Sequence, residues 1–303
     1  MKAFAVPMMS NCRALADRAM QASIAARLKA KKDLVSPVCV YAVAEAHGVR
    51  VTFNDIDMEG MYQRGSPPRI HLSARRPLVR RTYNCGHELG HHILGHGSSI
   101  DELRENQTVR PWDVPEEYSA DTFAAYLLMP TLGLRHAFVA RGLDPEKATP
   151  IEVYRVACHF GVGYTTLVTH LLYGAGMISR ARAEILRKHT PKSLRAQILG
   201  SLTPKPLIVA DEAWAAPTID VEVGHLLLLP PSTQSHGNGL ATVADLPGGR
   251  LFEAKQPGLV QLNRPGTEWA AFARIARMTT DGNRLVGYVG RAEFRHLEEE
   301  IDD

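Results

Sequence analysis

The stretch that decides the reading is Thr82-Tyr83-Asn84-Cys85-Gly86-His87-Glu88-Leu89-Gly90-His91-His92-Ile93-Leu94. Its apolar positions fit a helix over roughly 80–94. On a helix, residues four apart share a face, so His87 and His91 can offer imidazole nitrogens to one metal ion. Glu88 stands beside them, placed to act as general base on water at that ion. Gly90 costs helix stability relative to alanine by on the order of 1 kcal/mol, so its position between the histidines predicts a close approach there.

Downstream, Glu117-Tyr118-Ser119-Ala120-Asp121 repeats the four-residue spacing with carboxylates, on a helix expected over about 116–129 and ended by Pro130. Glu117 can supply a third, oxygen ligand, and Asp121 can accept a hydrogen bond from a ligand histidine and fix its tautomer. The rest of that helix is apolar, and buried carboxylates need a cation or a partner. The competing explanation for Glu116 and Glu117 is that acids favour a helix N-terminus. His92 and His96 compete for the metal, but His92 points elsewhere on the helix and His96 follows Gly95, beyond its end. A third-histidine site of the metzincin kind is excluded by Leu94 and Gly97. Cys85 reads as a core residue. Zinc suits two histidines and a glutamate; manganese or iron could also occupy that set.

Around these helices, residues 8–32 read as a basic amphipathic helix. A second helix begins at Ser36-Pro37 and stops at Gly48, Val49–Phe53 reads as a strand, and Gly60–Arg64 and Arg69–Leu72 as a strand pair. Arg69–Leu72 is a candidate edge for pairing with an extended peptide. Gly95–Pro115 reads as a loop. Residues 150–173 suggest two short helices about Gly161, with Ala157, Gly161 and Leu167 at helix-turn-helix spacing and Val156, Phe160 and Val162 as a small core. The second of these helices, Tyr164 to Tyr173, holds no Lys or Arg, a deficit for phosphate contact. Residues 180–205 are basic. Beyond Pro204, short apolar runs separated by turn residues predict a β-rich segment, with Asp281-Gly282 as a hairpin turn and Glu298–Asp303 as an acidic tail.

The expected organisation is α+β: a mostly helical domain with a small sheet over 1–149, a helix-turn-helix-like unit and basic linker over 150–203, and a β-rich domain over 204–303. With 303 residues, 45% hydrophobic and 22% charged, the chain is an ordinary globular protein, not a disordered, collagen-like or coiled-coil one. A net charge of +3 does not by itself imply nucleic acid. No apolar run approaches a membrane span. The N-terminus, broken by Pro7, Ser10, Asn11 and Arg13, does not read as a signal peptide. Cys12, Cys39, Cys85 and Cys158 form no Cys-x-x-Cys pair, which points to free thiols in the cytoplasm.

These motifs resemble the ImmA/IrrE metallopeptidases. The zinc helix Thr82–Leu94 is one matching piece. The more specific one is Glu117 to Pro130, with Ala120-Asp121, Phe123-Ala124 and Leu127-Leu128-Met129-Pro130, close to the family's Glu-x-x-Ala-Asn/Asp-x-Phe-Ala…Leu-Leu-Met-Pro pattern. The resemblance covers roughly residues 10–178 and departs at Gly95, where the family often has histidine. It implies a zincin-like domain with His87, His91 and Glu117 as ligands of one zinc ion, Glu88 as general base and Asp121 behind a ligand. It also implies a narrow-specificity endopeptidase cleaving a helix-turn-helix repressor in stress or mobile-element control. Tyr118, Arg135, His136 and His159 are candidates for stabilising the oxyanion. The alternative is a zinc-containing regulator without proteolysis that binds DNA or a protein partner.

Overall fold

The computed structural model describes residues 5–54, 57–101, 114–214, 218–276, 280–281 and 284–285. Its architecture is α+β, helices with small separate sheets. The chain divides into two compact units, Met1–Leu134 and Arg135–Asp303.

The first unit opens with α1 (Ala5–Lys29) and α2 (Val40–Ala46). α2 begins later than Ser36-Pro37, because Cys39 is the capping residue: its Sγ accepts from Ala42 N at 3.4 Å. Arg27 is fully buried on α1. Its guanidinium donates to the carbonyls of Asp33, Leu127 and Ser36. Burial holds that group down at about 10, with Asp33 opposing the shift.

Four strands follow: β1 (Arg50–Asn54), β2 (Gly60–Gln63), β3 (Arg69–Ser73) and, after helix α3 (Leu78–Leu94), β4 (Ser99–Asp101). β2 and β3 pair antiparallel, Gly60 opposite Leu72 and Gln63 opposite Arg69, as their spacing across the 65–68 turn predicts. The sheet order is β1-β3-β2-β4. Arg69–Leu72 is therefore interior and cannot receive a peptide: β1 holds one edge in parallel and β2 the other. Alternation reports which face of a strand is buried, and says nothing of which edge is paired. β4 forms within the segment read as a loop; residues 102–113 lie outside the described ones. Helix α4 (Pro115–Leu128) follows, with Pro115 in its first turn, and then α5 (Thr131–Val139), whose residues from Arg135 on are counted in the second unit.

The second unit contains α6 (Pro150–His159) and α7 (Tyr164–Tyr173), joined through Gly161 at φ +63°, then α8 (Arg180–Arg187) and α9 (Pro191–Leu199). Val156, Phe160 and Val162 are buried between the first two, as their spacing predicts. A reciprocal Thr149–Glu152 cap starts α6. Two sheets follow, β5 (Leu207–Val209), β7 (Leu226–Leu229), β10 (Gly249–Ala254) and β9 (Leu240–Leu246) in one, and β6 (Thr218–Glu222), β12 (Ala270–Ala276), β11 (Gly258–Asn263) and β8 (Gln234–His236) in the other. They share a core that includes Leu227, Leu229, Phe252, Val260, Leu262 and Ile275. The helices fasten to the first sheet where Tyr154 donates to the Leu207 carbonyl at 2.6 Å and Arg141 forks onto Asp211 at 2.7 and 2.8 Å. A short pair, β13 (Thr280–Asp281) with β14 (Arg284–Leu285), flanks the expected hairpin turn. Gly282 and the acidic tail lie outside the described residues.

Candidate metal centre

α3 and α4 cross at contact distance. A Cβ on Gly90 would lie 3.0 Å from the Cα of Ala120 and 3.1 Å from its carbonyl oxygen. The close approach read from Gly90 is thus to the backbone of α4. It brings Glu117, about one turn before Ala120, over the histidine face of α3. Ala120, Phe123, Ala124, Leu127 and Leu128 pack the rest of α4 into the core.

One nitrogen each from His87 and His91 and one oxygen from Glu117 lie within 4.8 Å of one another. The Nε2 atoms of the two histidines are 3.0 Å apart. Glu117 Oε2 is 3.4 Å from the first and Oε1 is 3.7 Å from the second. Glu117 is therefore turned toward the imidazoles, which helix-terminal preference alone does not require. His87 Nδ1 is 2.9 Å from Asp121 Oδ1 and donates to it, leaving Nε2 as a lone pair aimed at the common point. Tyr83 donates to the Asp121 carbonyl at 3.1 Å, a second tie between the helices, and burial raises its hydroxyl well above the ordinary value.

Glu88 is fully buried on α3, and the backbone of Gly60 on β2 comes up against it: a Cβ there would meet Oε1 at 2.7 Å. His92 lies apart from the cluster, with Nδ1 2.8 Å from the Tyr62 hydroxyl. Cys85 is fully buried, and burial above all, then Cys39 and Glu88, pushes its thiol well above the usual value; it is a core residue. His96 behaves unexpectedly. Its Nδ1 is 3.0 Å from His91 Nδ1, so it backs a histidine of the cluster instead of standing clear beyond the helix end. Burial lowers its pKa, against Glu116 and Glu117, which raise it.

Among the oxyanion candidates, Tyr118 stands on α4 next to Glu117. Arg135, His136 and His159 belong to the second unit, and His159 is buried there, edge-on to Phe160 and Trp214 at 5.1 and 5.3 Å.

Residues 44–171 match the family model Peptidase_M78, described as the IrrE N-terminal-like domain. That segment is a Peptidase_M78 domain. It contains α3 and α4 whole, and it lies inside the 10–178 span of the resemblance read from the motifs. The match suggests a function of metallopeptidase type. Comparison with curated proteins returns no match. No helix among the described residues is long and apolar enough to cross a membrane.

The donor set fits a divalent ion. Two imidazole nitrogens and a carboxylate converge, and lone pairs 3.0 Å apart repel unless a proton or cation lies between them.

Proposed function

We propose that the protein is a zinc-dependent endopeptidase of narrow specificity. One zinc ion is held by His87, His91 and Glu117, Glu88 is the catalytic base, and Asp121 orients His87. The observation that carries this is the convergence of the three donor groups from two helices, with a buried carboxylate beside them. When bound, zinc supplies Lewis acidity to water and to the scissile carbonyl. Glu88 takes a proton from the attacking water as its oxygen bonds to the carbonyl carbon, then gives that proton to the departing amine nitrogen as the C–N bond breaks. Asp121 keeps the His87 proton on Nδ1, so that Nε2 stays a donor to the ion. A site that served structure alone would favour a closed four-ligand shell and would have no use for Glu88.

Under this reading residues 1–149 carry catalysis, 150–203 form the helix-turn-helix-like unit and linker, and 204–303 sense a signal or hold the substrate. The substrate class is a helix-turn-helix transcriptional repressor. The setting is cytoplasmic, consistent with four cysteines that form no disulfide. The test is incubation with the helix-turn-helix protein encoded beside this one, with and without chelator, followed by intact mass. Two fragments that sum to the substrate plus one water, absent with chelator, are expected. Fragments that persist when the ion is stripped would overturn the assignment.

A second reading, a zinc-containing regulator that binds DNA without proteolysis, has one observation in its favour. The Arg187 guanidinium lies 6.0 Å over the exposed Tyr173 ring and donates to Thr169 at 3.4 Å, bringing a cation to the solvent face of α7. Salt-dependent DNA affinity with no cleavage of the candidate repressor would favour it.

A further inference from the structure

Helix α3 does not simply end at Gly95. Gly95 adopts φ +78°, the left-handed conformation that glycine reaches at no steric cost. The chain then folds back on itself: Gly95 N–H donates to the His92 carbonyl at 3.3 Å and His96 N–H to the His91 carbonyl at 3.0 Å. This is the double hydrogen-bond pattern in which the chain past the cap returns over the last turn of the helix. Usually the two side chains that meet there are apolar. Here they are His96 and His91, with their Nδ1 atoms 3.0 Å apart.

Two nitrogens at that distance need one proton between them. His91 directs its other nitrogen, Nε2, at His87 and Glu117. A ring that offers a lone pair from Nε2 carries its proton on Nδ1, so His91 donates and His96 accepts. Asp121 does the same for His87 at 2.9 Å. The two histidines are thus backed by different groups, one by a carboxylate on α4 and the other by a neutral imidazole on the cap of their own helix.

We propose that His96 is a positioning residue that fixes the tautomer and ring angle of His91 for metal binding, and that Gly95 is there to deliver it. The inference rests on the metal-site reading given above and adds a residue that the spacing of the motif does not show. His96→Ala removes the acceptor. His96→Asn restores one, since an asparagine Oδ1 sits at the same bond distance from Cβ as a histidine Nδ1.

The experiment loads the full-length protein with zinc and titrates it against a chromophoric chelator, alongside thermal melting of the metal-free protein. His96→Ala is expected to weaken zinc binding by about 10–100-fold. His96→Asn should recover most of that loss, with the metal-free melting point unchanged in both. If the alanine variant melts early, the asparagine variant decides, because general packing would not be rescued by a smaller polar side chain. Zinc held equally tightly by wild type and His96→Ala, while His91→Ala loses it, would overturn the role of His96 and leave the metal site standing. Wild-type protein that takes up no zinc would overturn both.

Discussion

In the first unit His87 and His91 are buried with their Nε2 atoms 3.0 Å apart and Glu117 within reach of both. In the second unit His159, the last residue of α6, is buried as deeply, yet its surroundings are the rings of Phe160 and Trp214. Among the described residues its Nδ1 has no hydrogen-bond partner. Burial, with Arg141 and His136 adding to it, pushes its pKa down to about 3, so it sits in the core as a neutral aromatic ring. Burial of a histidine is common to the two regions; convergence with other donors occurs in the first. The donors of α3 and α4 converge where one ion could be held, whereas His159 is a packing residue with a titratable ring.

The largest effect is expected from Glu88→Gln. Cleavage should fall by at least about 10²–10⁴-fold while one zinc remains bound, measured by substrate turnover and metal content. Full turnover by that variant would remove the base from the first region. Asp121→Ala should weaken zinc by about 10–100-fold in chelator competition, since His87 loses its proton acceptor. Gly90→Ala sets a methyl group 3.0 Å from the Ala120 Cα, and that steric cost, less the roughly 1 kcal/mol alanine gains in helix propensity, should leave the first unit less stable by up to about 2 kcal/mol in urea unfolding.

The second region offers an effect on stability alone. The unfolded chain protonates His159 near its ordinary value, and the folded protein only near 3. Between those values the unfolded state holds one more proton, so stability is complete above about pH 6.5 and falls as pH drops, by about 1.4 kcal/mol per pH unit from this group. His159→Phe should flatten that slope in unfolding measured at pH 7, 6 and 5, and leave zinc affinity untouched. Zinc affinity that drops in this variant would erase the distinction between the two regions.

The sequence makes some of this legible and hides the rest for physical reasons. His87, His91, Glu117 and Asp121 can be paired by spacing because a helix converts a four-residue interval into a shared face. That something approaches α3 closely is written in Gly90; that it is the Ala120 backbone of α4 is not, because a glycine marks the space and not its occupant. The role of His96 is hidden when Gly95 is read as a stop; a glycine after a helix also predicts a reversal, and the residue after it comes back over the last turn. The interior place of Arg69–Leu72 is not written locally, because strand order depends on partners far along the chain. The α2 start at Cys39 escapes the sequence because a thiol is a rarer cap than Ser or Asp.

Arg27 bears on how the molecule can be dissected. It lies on α1, before residue 44 where the family match begins, and its guanidinium satisfies the Leu127 carbonyl at the end of the helix that carries Glu117. A fragment trimmed to the matched span would leave that carbonyl and its surroundings bare, at on the order of 1–3 kcal/mol for each buried group abandoned. The length that kinship recognises is shorter than the length that holds itself together, and expression of the first unit should include α1.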